Sequence, residues 1–274
     1  MPELPEVETI TRALHCGKDG SCSIVGKKVA QTHLLWERTM ANTTDRKLKK
    51  RLTGQTVQSV GRRGKFVVIT FDQETLLIHL RMSGDLRVEL IHNSLLQKHD
   101  RLVIDFTDGY RLVMNDPRKF GRAWLIEDPQ EVLGDLGPEP LDSHLTYAQF
   151  HQKLKERKRQ LKSLLLDQSF LAGLGNIYTD EALHLAHLHP LRKSNSITET
   201  QSKKLLNAIR SVLKEGIQRN GVSIDWVYRG GDFQNHLRVY QRDGQSCPVC
   251  GATIERILVG QRSTHFCPGC QKLN

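Results

Sequence analysis

From Ile24 onward the chain turns to short β-branched and alternating runs, among them Phe66-Val67-Val68-Ile69-Thr70, Leu76-Leu77-Ile78-His79-Leu80 and Leu102-Val103-Ile104-Asp105-Phe106. A period of two turns one face of each stretch toward a core, so these segments predict strands. The third stretch ends at Thr107, meets Asp108-Gly109 and resumes as Tyr110-Arg111-Leu112-Val113-Met114. Glycine accepts the positive φ of a tight primed turn, so the pair reads as a hairpin and the first half as an antiparallel β domain. Residues 6 to 15, after the paired prolines, precede it as a short helix. Between Asp128 and Asp142 the residues Pro129, Gly134, Gly137, Pro138 and Pro140 break both periodicities and mark a linker. Beyond it Ala148 to Leu166, Ile177 to Ala186 and Glu199 to Gln218 carry helical spacing, and the last 28 residues return to short strands between cysteine pairs. The pattern predicts an α+β multidomain chain: a β domain over 1–128, a linker over 129–142, a helical domain over 143–236 and a small metal module over 237–274. It contains no internal repeat and no low-complexity tract.

Composition narrows this reading. A length of 274 residues exceeds one small core and falls short of two large ones, which fits two modest domains. With 38% hydrophobic and 26% charged residues, there is enough apolar side chain for real cores, and wholesale disorder is excluded. The net charge of +10 favours a polyanionic partner, since each cation set against a phosphate releases condensed counterions. A generic basic surface carries the same charge, so charge alone does not choose. No apolar run approaches the roughly 20 residues that span a bilayer, and the start is acidic where a signal peptide is basic. The expectation is an intracellular protein without a membrane partner, whose cysteines are metal ligands or free thiols before they are disulfides.

The strongest local signal is at the far end. Cys247-Pro248-Val249-Cys250 and Cys267-Pro268-Gly269-Cys270 form two C-x2-C knuckles separated by sixteen residues. Two-residue spacing lets both thiolates of a knuckle reach one tetrahedral ion, and four thiolates close the coordination sphere, so one structural zinc is predicted and His265 is surplus as a ligand. The segment Ile254 to Phe266 reads as a hairpin with Gly260-Gln261-Arg262-Ser263 at its tip, presenting the forked Arg262 donor to phosphate. Such a ribbon also occurs in binders that catalyse nothing. Cys16 and Cys22 are too widely spaced for a knuckle and read as free thiols on a loop.

At the other end, Pro2 is small enough for Met1 removal, which leaves a secondary amine. Free α-amino groups titrate near about pH 8, so part of the population is nucleophilic at neutral pH and can form an iminium with an aldehyde-level carbon. Glu3 and Glu6 lie close enough in sequence to move protons or support that amine. A plain acidic tail reads the same way in isolation.

The opening Pro2-Glu3-Leu4-Pro5-Glu6-Val7-Glu8-Thr9, the central Gly173-Leu174-Gly175-Asn176-Ile177-Tyr178 and the four-cysteine finger together closely resemble the bacterial formamidopyrimidine-DNA glycosylase family, over essentially the whole chain. The resemblance implies an N-terminal antiparallel β-sandwich, a helix-two-turn-helix domain and a zinc finger, with damaged double-stranded DNA held in the cleft between domains. It implies a monomeric enzyme of the bacterial cytoplasm that excises oxidised purines and then cleaves the strand as an abasic-site lyase. Residue by residue, Pro2 resembles the Schiff-base nucleophile and Glu3 the acid that moves protons during base loss. Lys65 in Arg62-Arg63-Gly64-Lys65-Phe66 resembles the lysine of β-elimination, and Arg262 the arginine of phosphate binding and δ-elimination. Met82, Arg118 and Phe120 resemble the trio inserted where a base is flipped out, as such chemistry on a stacked base requires. His99, Lys162 and Asn176 resemble DNA contacts, and Asn176 also reads as the N-cap of a helix beginning at Ile177.

Two stretches depart from the family. His15 to Cys22 reads as a short insertion that lengthens a loop, and Val222 to Gln234 is shorter than the loop that closes over a flipped base, which puts lesion preference in doubt. Two rival functions stay open: an endonuclease VIII type acting on oxidised pyrimidines, and a zinc-ribbon DNA binder without catalysis.

Overall fold

The computed structural model describes residues 1–17, 22–223 and 230–273, so the middle of the expected lesion loop and of the His15–Cys22 insertion lie outside the described residues. The chain divides into two compact units, one of Met1–Pro2 with Glu6–Gly134 and the other of Glu3–Pro5, Asp135–Ser223 and the residues from Gly230 onward.

Helix α1 (Leu4–Cys16) is longer at both ends than the pattern predicts and carries Pro5 in its first turn, where a backbone N–H has no helical partner to lose. The β unit then runs through β1 (Val29–Leu34), α2 (Asp45–Leu52), β2 (Val57–Arg63), β3 (Phe66–Phe71), β4 (Thr75–His79), β5 (Asp85–Leu90), β6 (Asp100–Phe106), β7 (Tyr110–Asn115) and β8 (Arg122–Ile126). The strands form two four-stranded sheets, ordered β1-β6-β7-β5 and β2-β3-β4-β8, with antiparallel neighbours throughout. Along β3 the even beat of the sequence sends Val67, Ile69 and Phe71 inward, where they share one core with Val29, Leu102 and Ile104 of the other sheet. This is the antiparallel sandwich the sequence led us to expect. The β6–β7 connection differs in detail. Thr107, Asp108 and Gly109 all lie outside the strands, and only Gly109 takes a positive φ, of 85°, so the loop has three residues with glycine at the left-handed position.

A short helix, α3 (Gln130–Leu133), occupies the proline- and glycine-rich stretch. The helical unit contains α4 (Tyr147–Lys155), α5 (Leu161–Leu165), α6 (Asn176–Leu185) and α7 (Glu199–Gln218). The single helix expected over Ala148 to Leu166 is two, because Gln160 bridges to Lys193 and the Leu161 amide donates to Arg192 O at 2.9 Å, which bends the chain between α4 and α5. Capping boxes start α4 at Thr146 with Gln149 and α7 at Thr198 with Gln201. Gly216 of α7 leaves room for the Tyr178 ring of α6: a Cβ there would lie 2.5 Å from that ring. Finally β9 (Glu255–Val259) pairs with β10 (Arg262–Phe266). Gly260 and Gln261 alone form the turn, with φ of 55° and 63°, a primed two-residue geometry that makes Arg262 the first residue of β10.

Candidate active site

In the β unit, four of the expected DNA-contacting residues gather around one buried carboxylate. Asp116 accepts the Gly121 amide at 2.7 Å and the Arg118 amide at 3.2 Å, and bonds the Ser83 hydroxyl. The Ser83 oxygen in turn accepts from the Arg118 amide at 3.3 Å, so the turn bearing Met82 and the turn bearing Arg118 and Phe120 are tied together. The Asp116 amide donates to His99 O at 2.8 Å, which adds the half-buried His99 to the group, its Nδ1 lying 3.2 Å from an Arg101 nitrogen. Met82 and Phe120 keep 41% and 48% of their surface exposed, where core strand residues would be covered. Arg118 stacks over the Phe120 ring at 5.0 Å. Arg81 and Lys119, beside these side chains, sit at φ of 54° and 60°, a left-handed backbone that non-glycine residues adopt at a cost.

Lys65 is buried, and so is Pro2. Next to Lys65 lies a residue the sequence reading passed over. Burial, with the charges of Arg81 and Lys65, pulls the His79 imidazole down to about 3. The ring is therefore neutral, and its Nδ1 accepts the Arg81 amide at 3.0 Å while its edge meets Phe66.

In the helical unit, Glu3 lies 2% exposed with its carboxylate at the start of α6, accepting from the amides of Gly175 at 2.7 Å, Ile177 at 3.0 Å and Tyr178 at 3.4 Å. These are the orphan donors of a helix N-terminus, and a carboxylate there is stabilised by both the hydrogen bonds and the helix dipole. The approach requires Gly175, since a Cβ would stand 2.2 Å from the Glu3 carboxyl carbon. The Leu4 amide donates to Gly173 O at 3.0 Å and fixes the same segment. Asn176 is consequently not the N-cap: Gly175 holds that position, Glu3 does the capping, and Asn176 begins the helix with its side-chain Nδ2 donating to Ser263 O of β10 at 2.8 Å.

Lys162, read from the sequence as a DNA contact, lies inside the helical unit: its side chain is 0% exposed and donates to Asp180 at 2.7 Å and to Asn176 O at 2.9 Å. Burial drives its ammonium below the usual lysine range, against the pull of Asp180, and the charges of Glu3 and Arg262 are also felt there. Asp180 also accepts the His265 amide at 3.0 Å and lies 3.3 Å from His265 Nδ1. One buried carboxylate on α6 thus holds both α5 and β10, while Arg262 at the head of β10 stays exposed. Tyr240 joins this group, its ring centre 5.1 Å from that of His265 in a T-shaped contact and its hydroxyl beside the Asn176 side-chain amide, with its phenol raised by burial and by Glu3 and Asp180. Tyr240 carries no local sequence signal, since its neighbours are brought together only by the fold. Glu181, 0% exposed, accepts the amides of Arg238, Val239 and Tyr240 at 2.8 to 2.9 Å and orients that strand of chain.

The four knuckle cysteines bring their sulfurs within 4.8 Å of one another, with Cys250–Cys267 at 3.4 Å and Cys247–Cys270 at 3.9 Å. A tetrahedron with Zn–S bonds of about 2.3 Å has edges of about 3.8 Å, so these thiols fit one zinc and leave it no open position. His265 points to Asp180 and Asp243 instead, as its surplus status requires. His184 of α6 sets Nε2 3.4 Å from the Cys247 sulfur, a hydrogen bond of the kind that orients a thiolate ligand.

Residues 1–123 match the family model of the formamidopyrimidine-DNA glycosylase N-terminal domain, 136–227 that of the formamidopyrimidine-DNA glycosylase H2TH domain, and 244–273 that of the zinc finger found in FPG and IleRS. The formamidopyrimidine-DNA glycosylase of Protochlamydia amoebophila is 43% identical, with 99% of this chain and 100% of that one covered. That of Ligilactobacillus salivarius is 41% identical, with 99% of each covered. Among solved structures, Lactococcus lactis Fpg (MutM) with DNA containing N7-benzyl-Fapy-dG superposes with a TM-score of 0.91 at 38% identity, over 99% of this chain and all of that one. A MutM complex with DNA containing carbocyclic 8-oxo-G gives 0.90 at 39% identity, again over 99% of this chain and 100% of that one.

Proposed function

Because the chain belongs to the formamidopyrimidine-DNA glycosylase family, we propose that it excises oxidised purines, 8-oxoguanine and formamidopyrimidines, from duplex DNA and then cleaves the strand at the abasic site. It is a bifunctional glycosylase and lyase with one structural zinc held by Cys247, Cys250, Cys267 and Cys270. It acts as a monomer in the bacterial cytoplasm. Among the described residues no helix is long and apolar enough to cross a membrane.

The observation that carries the mechanism is the Glu3 carboxylate seated on the Gly175 cap amide and the Ile177 and Tyr178 amides of α6. An idle terminal tail frays; this one is pinned one residue beyond Pro2. With Met1 removed, the Pro2 nitrogen attacks C1′ of the damaged nucleotide as the bond from C1′ to the base breaks, Glu3 moves the protons, and the C1′–O4′ bond then opens to leave an iminium joining protein to sugar. Lys65 serves β-elimination of the 3′ phosphate. The exposed Arg262 binds phosphate and serves the δ-elimination that follows. Met82, Arg118 and Phe120, tied together through Ser83 and Asp116, fill the space the base vacates and pair its orphaned partner. His99 and Asn176 position the backbone, and Tyr240 belongs with them.

Borohydride present during turnover reduces the iminium. An oxidised-guanine duplex is expected to yield a covalent adduct mapping to Pro2, and faster than an oxidised-thymine duplex. An oxidised-thymine preference would favour the endonuclease VIII type instead. Absence of any adduct from protein lacking Met1 would leave a DNA binder without catalysis.

A further inference from the structure

Cys16 and Cys22 stand apart from the zinc cluster. Cys16 ends α1 and is exposed, Cys22 is half-buried, and both are free thiols. The backbone brings the two toward one another. The Ile24 amide donates to Leu14 O at 2.9 Å, and one step outward the Ser23 hydroxyl donates to His15 O at 2.5 Å. The next step outward reaches Cys16 on one side and Cys22 on the other. A disulfide requires Cα atoms about 4.4–6.8 Å apart, a separation accessible to residues that each adjoin a hydrogen-bonded pair. Gly17, directly after Cys16, sits at a φ of 72°, a left-handed backbone that glycine adopts without strain and that turns the chain out of α1.

A cation faces the same sulfur. Lys27, whose side chain is 8% exposed, pairs with Asp108, sits 4.2 Å from the centre of the Tyr110 ring and also hydrogen-bonds Cys22. It is thus a fixed ammonium beside a sulfur that must become anionic to react. A second metal site is not the explanation, because among the described residues the only group able to hold an ion is the four-cysteine cluster.

We propose that Cys16 and Cys22 form a peroxide-oxidisable dithiol, a modification site separate from the zinc thiols, which closes to an intramolecular disulfide clamping the last turn of α1 to the segment that enters β1. The oxidant is hydrogen peroxide or an organic hydroperoxide. The Cys22 thiolate attacks one peroxide oxygen, forming an S–O bond as the O–O bond breaks, and hydroxide, or the alkoxide of an organic hydroperoxide, leaves to be protonated by solvent. The Cys16 thiolate then attacks the sulfenic sulfur, forming the S–S bond as the S–O bond breaks, and a second water departs. Two thiols and one hydrogen peroxide give one disulfide and two waters. In a reducing compartment the pair rests as thiols and returns to them through a dithiol reductant.

The zinc-loaded full chain, treated with limiting hydrogen peroxide and then alkylated, tests this by intact mass and peptide mapping. The expected result is loss of two alkylatable thiols and two hydrogens, a cross-linked peptide joining Cys16 to Cys22, and no release of zinc to a chromophoric chelator. Closing so short a loop is expected to raise the melting temperature by about 3–8 °C, reversed by dithiothreitol. Cys22→Ser removes the reaction, Cys16→Ser stops at a sulfenic acid that dimedone captures, and Lys27→Gln slows closure. Oxidation of the zinc thiols before this pair, progress of Cys22 to the sulfinic acid in the wild-type chain, or an undiminished rate in Lys27→Gln would each overturn the assignment.

Discussion

The turns around Asp116 and the helix start at Gly175 hold their functional side chains in opposite ways. Around Asp116, apolar and cationic groups are exposed on backbone turns with unfavourable φ, and a single buried carboxylate keeps them from relaxing. At Gly175 the charged groups themselves are buried, and each is matched: Glu3 by three amides, Lys162 by Asp180 and a carbonyl. The first arrangement leaves side chains ready to enter a partner, while the second fixes positions and presents only the exposed Arg262. Cutting into the second should therefore cost folding, and cutting into the first should cost binding.

The largest effect is expected at the buried pair. Lys162→Met leaves Asp180 without its cation and should destabilise the chain by about 3–5 kcal/mol in urea titration, whereas Lys162→Met with Asp180→Asn, which removes the unpaired charge but keeps an acceptor for the His265 amide, should regain part of that loss. Equal loss in the single and double variants would show that the uncompensated charge is not what costs stability.

A smaller effect is set by pH. His79 titrates at about 3 in the fold against its ordinary 6.5, so between those values the unfolded chain binds a proton that the folded chain refuses. Its contribution is intact above pH 6.5 and is lost as pH falls. By pH 5 the loss is about 2 kcal/mol, at 1.36 kcal/mol per unit. Denaturation at pH 7.5 and pH 5 should show this slope in the wild-type chain and a flatter one in His79→Gln.

The smallest effect on stability belongs to the exposed turns. Met82→Ala and Phe120→Ala should shift the urea midpoint by no more than about 0.5 kcal/mol equivalent, while binding of a lesion duplex weakens clearly. A large loss of stability in either would mean that these side chains serve the core after all.

What the sequence made legible follows from the range of the forces involved. The zinc knuckles, the β6–β7 hairpin and α7 rest on contacts a few residues apart, and spacing alone exposes them. The strands follow from the short apolar runs of β3, β4 and β6, of which β3 alone alternates in burial while the other two are covered along their whole length. Lys162 looks solvated in its run of basic residues, and its burial shows only once its partner Asp180, on the next helix, is in place. The cap on α6 was assigned to Asn176 for the same reason, since the carboxylate that performs it comes from Glu3, far back along the chain. Tyr240 and Glu181 were invisible because each matters only through groups that the fold assembles around it.

The seating of Glu3 on α6 also sets a schedule during synthesis. Those amides belong to residues translated about 170 positions later, a delay of roughly 10 to 35 seconds at ordinary rates of 5–20 residues per second. Throughout that interval the nascent end has no seat, and a methionine-removing peptidase has open access to it. Met1 itself stays 43% exposed while Pro2 and Glu3 are covered, so after the helical half has emerged the same peptidase would meet its bond beside residues that no longer move freely.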